Sequence, residues 1–114
     1  RERELIDQIK KVIEDEKLYR NSNLTVRMLA ENLNSQEYLV RRAINNHMGY
    51  RNFSEFLNHY RIDETIELLV GSNEPITNIG FDVGYTSLSS FYKAFKTLNN
   101  TTPKDYRANN KPKI

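Results

Sequence analysis

Arg41, Arg42 and Lys93, with the hydroxyls of Tyr38, Ser89 and Tyr92 and the amide of Asn45, are the side chains of this 114-residue chain whose types and spacing could do chemistry. That chemistry is hydrogen bonding to base edges and phosphates. A guanidinium offers a planar fork that meets guanine with two parallel N–H groups, whereas an ammonium offers a point charge. At helical spacing Tyr38, Arg41, Arg42 and Asn45 share one face, opposite Val40, Ala43, Ile44 and His47. Ser89, Tyr92, Lys93 and Lys96 stand in the same way opposite Phe91, Ala94, Phe95 and Leu98. Tyr92 fits either a base or methyl contact or a place against the core. Gln36, Arg51, Thr77, Thr86, Ser87 and Lys96 are the candidates for phosphate contact. Thr77 lies near the start of a helix opened by Pro75, where free N–H groups favour an anion. An arbitrary arginine pair is as a rule a solvated helix face. What separates this one from that reading is Lys93, which stands 51 positions after Arg42 in a matching segment.

Catalysis has no comparable footing. The chain has no cysteine, and its two histidines, His47 and His59, are too few and lack carboxylates at ligand spacing. No nucleophile–base pair, carboxylate pair or phosphate-cradling glycine loop is evident, so neither an enzyme nor a metal or cofactor site is expected. A net charge of +2 permits nucleic-acid binding without arguing for it. The first 34 residues carry seven cations and seven anions, which places any DNA-facing charge further along. No apolar run approaches the ~20 residues of a membrane span, so this segment is expected to make no membrane contact. No signal peptide opens the chain. A chain that begins at Arg1 is expected to be cut from something longer.

The elements that must position these side chains are helices. Leu5, Ile6, Ile9, Val12 and Ile13 mark an amphipathic helix from about Glu2 to Lys17. Thr25 is placed to cap a short helix built on Val26, Leu29, Ala30 and Leu33 that stops near Asn34, and a further helix runs from about Gln36 to His47. Phe53 to Val70 reads as one long helix stopped by Gly71. At ~1.5 Å per residue it would be roughly 27 Å long, enough to carry two reading heads about one DNA turn, ~34 Å, apart. Ile76, Ile79 and Val83 then give a short helix with a single buried stripe. Gly80 leaves room for a crossing helix, Gly84 takes the turn, Tyr85 plugs the corner, and Thr86 or Ser87 caps the next helix. A small residue, a turn glycine and an apolar plug spell helix-turn-helix.

The unit occurs twice. Val40 and Phe91, Arg42 and Lys93, Ile44 and Phe95, and Gly49 and Asn100 are each 51 positions apart, whereas Ala30 and Gly80, and Asn34 and Gly84, are 50 apart. One residue in the turn accounts for the slip. The fold expected is all-α, with two helix-turn-helix subdomains joined by a long central helix, about seven helices in all. The boundaries expected are 1–23 for the N-terminal helix and connector, 24–52 for the first helix-turn-helix, 53–71 for the linker helix, 72–107 for the second helix-turn-helix, and 108–114 for a disordered basic tail.

The run Ile79, Gly80, Gly84, Tyr85, Phe91, Lys93, Phe95, Lys96, Asn100, Pro103, Tyr106 and Arg107 resembles the C-terminal signature of the AraC/XylS family of bacterial transcription regulators. Gly80 replaces an alanine of that pattern, Tyr85 a phenylalanine, Lys93 an arginine and Asn100 a glycine. The linker segment Phe53, Phe56, Leu57, Asn58, Arg61 and Ile62 is similar too, with Thr65 where the family has alanine. The resemblance covers about Leu24 to Arg107. It implies a sequence-specific double-stranded DNA-binding domain whose two reading helices enter the major groove, with Arg42 and Lys93 at the base-contacting positions. Ser89 matches a hydroxyl near the DNA backbone, and Arg61 and Arg107 tie helices together. It further implies promoter DNA and RNA polymerase as partners, an upstream sensing or dimerisation region, and a cytoplasmic, nucleoid-associated location. The alternative is a helical protein-interaction module that keeps the fold without reading bases.

Overall fold

A computed structural model describes residues 2–111. Among them all regular structure is helical. The chain forms two units that meet between Asn58 and His59.

In the first unit α1 (Glu2–Lys10) runs into a widened turn over Lys11–Asp15, closed by the Glu16 N–H donating to the Lys11 carbonyl at 3.2 Å. Ile9 and Ile13 are fully buried on its inner face. Lys17, at φ 54°, starts a single tight turn over Leu18–Arg20. Next, α2 (Val26–Asn32) is capped by Thr25, whose hydroxyl accepts the Met28 N–H at 3.1 Å. α3 (Glu37–Arg42) passes without a break into a second widened turn, Ala43–His47, where the Met48 N–H reaches back five residues to the Ala43 carbonyl. The sequence periodicity treats Gln36–His47 as one regular helix; the backbone instead widens after Arg42. α2 packs on α3, and α1 packs on the widened turn, around Leu29, Ala30, Val40, Ala43 and Ile44.

The long helix α4 (Phe53–Gly71) runs from the first unit into the second. Asn52 caps it by accepting the Glu55 N–H at 2.8 Å, while the Glu55 carboxylate reaches back to the Arg51 N–H, also at 2.8 Å. That backbone contact, together with the Arg51 side chain, holds the Glu55 carboxyl below its usual range.

The second unit repeats the α2–turn–α3 arrangement with α5 (Ile76–Asp82) and α6 (Leu88–Asn99), and adds α7 (Pro103–Asn110). The two copies share the bond that closes the turn. The Ser35 N–H returns to the Ala30 carbonyl at 2.9 Å, and the Tyr85 N–H to the Gly80 carbonyl at 3.1 Å. Asn34 and Gly84, the paired turn residues, are both left-handed, and so are Gly49 and Asn100 at the far ends. Helices α2 and α5 are offset by 50 residues and α3 and α6 start 51 apart, so the extra residue lies in the second turn. Ser87, not Thr86, caps α6, accepting the Ser90 N–H at 3.2 Å.

The second core is built from Ile62, Leu69, Ile79, Val83, Tyr85, Phe91 and Phe95. A Cβ placed on Gly80 would lie 2.6 Å from Cδ2 of Phe91, so α5 and α6 touch at a distance only glycine permits. Arg107 ties α7 to the end of α4, its Nε donating to the Leu69 carbonyl at 3.0 Å. Arg61 lies buried with its guanidinium 5.5 Å from the Tyr85 ring centre, and burial pushes the Tyr85 hydroxyl up, keeping it protonated.

Three expectations need correction. His47, placed by helical spacing opposite Arg42 with Val40, Ala43 and Ile44, is exposed and shares Glu2 with Arg42, because the backbone widens after Arg42. Leu98, assigned by spacing to the apolar face of α6, is 49% exposed, because it sits in the last turn beyond Phe95, which closes the core. Residues 108–110, placed in a disordered tail, continue α7, and the Lys111 ammonium bonds the Ser72 carbonyl and the Asn73 side chain. The remainder of that proposed tail, 112–114, lies outside the described residues, as does Arg1.

Candidate nucleic-acid interface

Helices α3 and α6 each owe an outward ridge to the residues they bury. In α3 the burial of Val40, followed by Ala43 and Ile44 in the widened turn, turns Tyr38, Arg41, Arg42 and Asn45 to solvent. Tyr38, at 61% exposure, is the most exposed large side chain of the first unit's ridge. Arg41 and Arg42 lean to opposite sides of it. Arg41 gathers with Asn45 and Arg51 around a shallow recess of about 200 Å3. Arg42 instead lines a cleft of about 610 Å3 between α1 and α3, with Leu5, Leu39 and His47.

The electrostatics of this ridge were not visible in its composition, because every candidate cation here already holds a carboxylate. The Arg41 guanidinium donates to one oxygen of Glu37 through Nε at 3.1 Å and Nη2 at 2.8 Å. Arg51 meets Glu55 at 3.1 Å, and Arg42 meets Glu2 at 3.3 Å. The first two pairs have the i, i+4 spacing that a helix face brings together and could have been found by counting. No sequence signal links Glu2 to Arg42, because forty positions separate them. Gln36 occupies the N-cap position of α3 and makes no capping bond with its side chain.

In α6 the burial of Phe91 and Phe95 turns Ser89, Tyr92, Lys93 and Lys96 outward. Among the described residues Lys93 and Lys96 have no carboxylate partner. Tyr92 is 41% exposed, with its ring centre 5.3 Å from that of Phe91. Its ring therefore lies beside the core ring while remaining partly open to solvent, which joins the two readings its spacing allowed. Thr77, in the first turn of α5, and Thr86, in the turn, are exposed. The Ser87 oxygen is taken up by its capping bond and by a 3.1 Å contact with the Ser90 hydroxyl.

One carboxylate pair escaped the sequence. Glu74, just ahead of α5, is hydrogen-bonded to Asp82 at its end, and this bond, with desolvation and the like charge, raises the Glu74 carboxyl above its ordinary 4.5, against the opposing pull of Arg107. From 4.5 up to the raised value the folded chain binds more proton than the unfolded one, so stability declines as pH rises through that window. Glu74→Gln keeps a donor for Asp82 and removes the like charge. It is expected to melt at a higher temperature than the parent at pH 7, and the difference should close by pH 4, as read from paired thermal melts.

Helix-turn-helix domains as a family match residues 29–109 of the chain. An uncharacterised helix-turn-helix-type transcriptional regulator of Staphylococcus aureus is 30% identical over 101 residues, which are 89% of this chain and 13% of that protein. The chain thus spans about an eighth of that relative's length. The transcriptional activator FapR of Escherichia coli is 31% identical over 78 residues, 68% of this chain and 29% of its own length. Among solved structures, the C-terminal domain of AraT, a response regulator from Geobacillus stearothermophilus, superposes with a TM-score of 0.84 at 29% identity, covering 95% of this chain and 87% of that one.

Proposed function

We propose, from the premise that this chain belongs to the AraC-type helix-turn-helix family of DNA-binding transcription regulators, that it reads double-stranded DNA through α3 and α6, each entering a major groove. The observation that carries this reading is the repetition. Two copies of one small-residue–turn–helix unit bury equivalent residues and turn an equivalent hydroxyl, Tyr38 and Ser89, and an equivalent cation, Arg42 and Lys93, outward, and a fold that needed only one packed unit would have no cause to duplicate the exposed ridge as well. Tyr38, Arg41, Arg42 and Asn45 in α3 and its widened turn, and Ser89, Tyr92 and Lys93 in α6, are the side chains assigned to base edges. Gln36, Arg51, Thr77, Thr86 and Lys96 are assigned to phosphates, and Ser87 to phosphate through its backbone N–H, since its oxygen is used in the cap.

In this reading the chain is the DNA-reading part of a larger regulator that acts at promoters with RNA polymerase. The greater length of the relatives supports that placement. The test is binding of the chain to pooled random duplex DNA across a salt series, with sequencing of the bound fraction. A steep salt slope with an enriched motif in two parts is expected. A steep slope without enrichment would leave backbone contact alone, and no binding even at low salt would transfer the fold to protein interaction.

A further inference from the structure

Glu2 stands in the first turn of α1, far along the chain from the helix it touches. Its Oε2 lies 3.3 Å from Nη2 of Arg42 and 3.1 Å from Nε2 of His47. Two features bring these groups together. α1 packs against the widened turn that follows α3. In a regular helix, residues five apart point well away from each other, but the turn Ala43–His47 is closed by bonds spanning five residues, which lines His47 up with Arg42. One carboxylate can therefore span both. The side chains of Arg42 and Glu2 are 47% and 50% exposed, so the pair sits at the rim of the cleft, at the edge of the ridge assigned to DNA.

We propose that Glu2 is a positioning residue for Arg42: it draws the guanidinium into the cleft beside α1, and DNA engages Arg42 only by displacing this carboxylate. The inference rests on the DNA-reading function proposed above. Its physical basis is competition for one fork. A two-pronged contact with guanine or phosphate uses the same outward N–H groups, and Glu2 already occupies one of them. Until the pair opens, the site presents a neutral couple to a polyanion. Arg41 also has a carboxylate, but that partner rides on its own helix one turn away. Glu2 belongs to a different helix, so the availability of Arg42 depends on where the first turn of α1 lies.

The test compares Glu2→Gln with the parent on the duplex enriched by selection, in both the native and the Arg42→Ala backgrounds. Glu4→Gln serves as the control, since it removes the same charge from the same turn. An exposed ion pair of this kind corresponds to a gain of about two- to fivefold in affinity when it is removed. That gain is expected in the native background, with a sharper base preference at the position read by Arg42, and it should disappear in Arg42→Ala. Unchanged or weaker binding by Glu2→Gln overturns the proposal, and so does a gain that Glu4→Gln matches or that survives in Arg42→Ala, since general charge repulsion would then be the cause. Each of those outcomes leaves the DNA-reading function standing. Failure of the parent to bind any duplex would remove that function itself.

Discussion

Phe91→Ala is expected to cost about 3–5 kcal/mol of folding stability, towards the upper end of that range. The phenyl ring is fully buried in the second core, between Tyr85 and the α5 backbone. The size of the loss depends on whether neighbours can move into the space left behind. Gly80 faces the ring with no side chain, so nothing on the α5 side can rotate into the void. Small domains are stable by roughly 5–15 kcal/mol, so this single change should remove a third or more of the total. Denaturant unfolding followed by helical circular dichroism would show a large drop in midpoint at similar slope. The same geometry sets the sign of a second substitution. In the native background Gly80→Ala drives a methyl to 2.6 Å from Phe91, and this overpacking, of about 1–3 kcal/mol, exceeds the ~1 kcal/mol gain in helix propensity. With Phe91→Ala already present the clash is gone, and Gly80→Ala should stabilise. A native-background gain from Gly80→Ala would contradict the close approach of the two helices.

The double variant Lys93→Ala/Lys96→Ala is expected to weaken binding to the enriched duplex by roughly 30- to 100-fold at 0.1 M salt, to lower the slope of log affinity against log salt by about 1 through the lost Lys96 phosphate contact, and to relax the base preference where Lys93 reads. Each phosphate contact contributes about 0.9 to that slope, which at 0.1 M salt amounts to roughly 1 kcal/mol. In the proposed DNA-reading function the two lysines bring their charge to DNA without giving up a partner, whereas Arg41, Arg42 and Arg51 exchange Glu37, Glu2 and Glu55 for phosphate or base, so their net gain is smaller. The structure therefore ranks α6 above α3 in electrostatic weight, although α3 and its flanks hold more cations. Equal losses of affinity and slope from Arg41→Ala/Arg51→Ala would reverse that ranking.

Much of the architecture was legible in the residues because it rests on interactions within a few positions of the chain. Thr25 caps α2 with its own hydroxyl, Asn34 and Asn100 accept left-handed backbone where the repeat calls for a turn, and Val40 and Phe91 are buried where helical spacing puts them. Periodicity, caps and turn conformers are short-range properties, and a repeated pattern states each of them twice. The ridge residues were legible for the same reason, being the complement of the buried ones.

What the sequence determined on its own was therefore the helices, their duplication and the side chains turned outward from each. Tertiary structure decided which of those side chains carry usable charge. The Glu2–Arg42 pair exists because α1 folds back on a turn whose widening no periodicity announces, and Glu74 interacts with Asp82 although eight positions separate them. The exposure of Leu98 was likewise set by where the core ends and not by its place on the helical wheel. Electrostatic pairing falls off over a few ångströms of space, and distance along the chain carries no information about it once the chain has folded back.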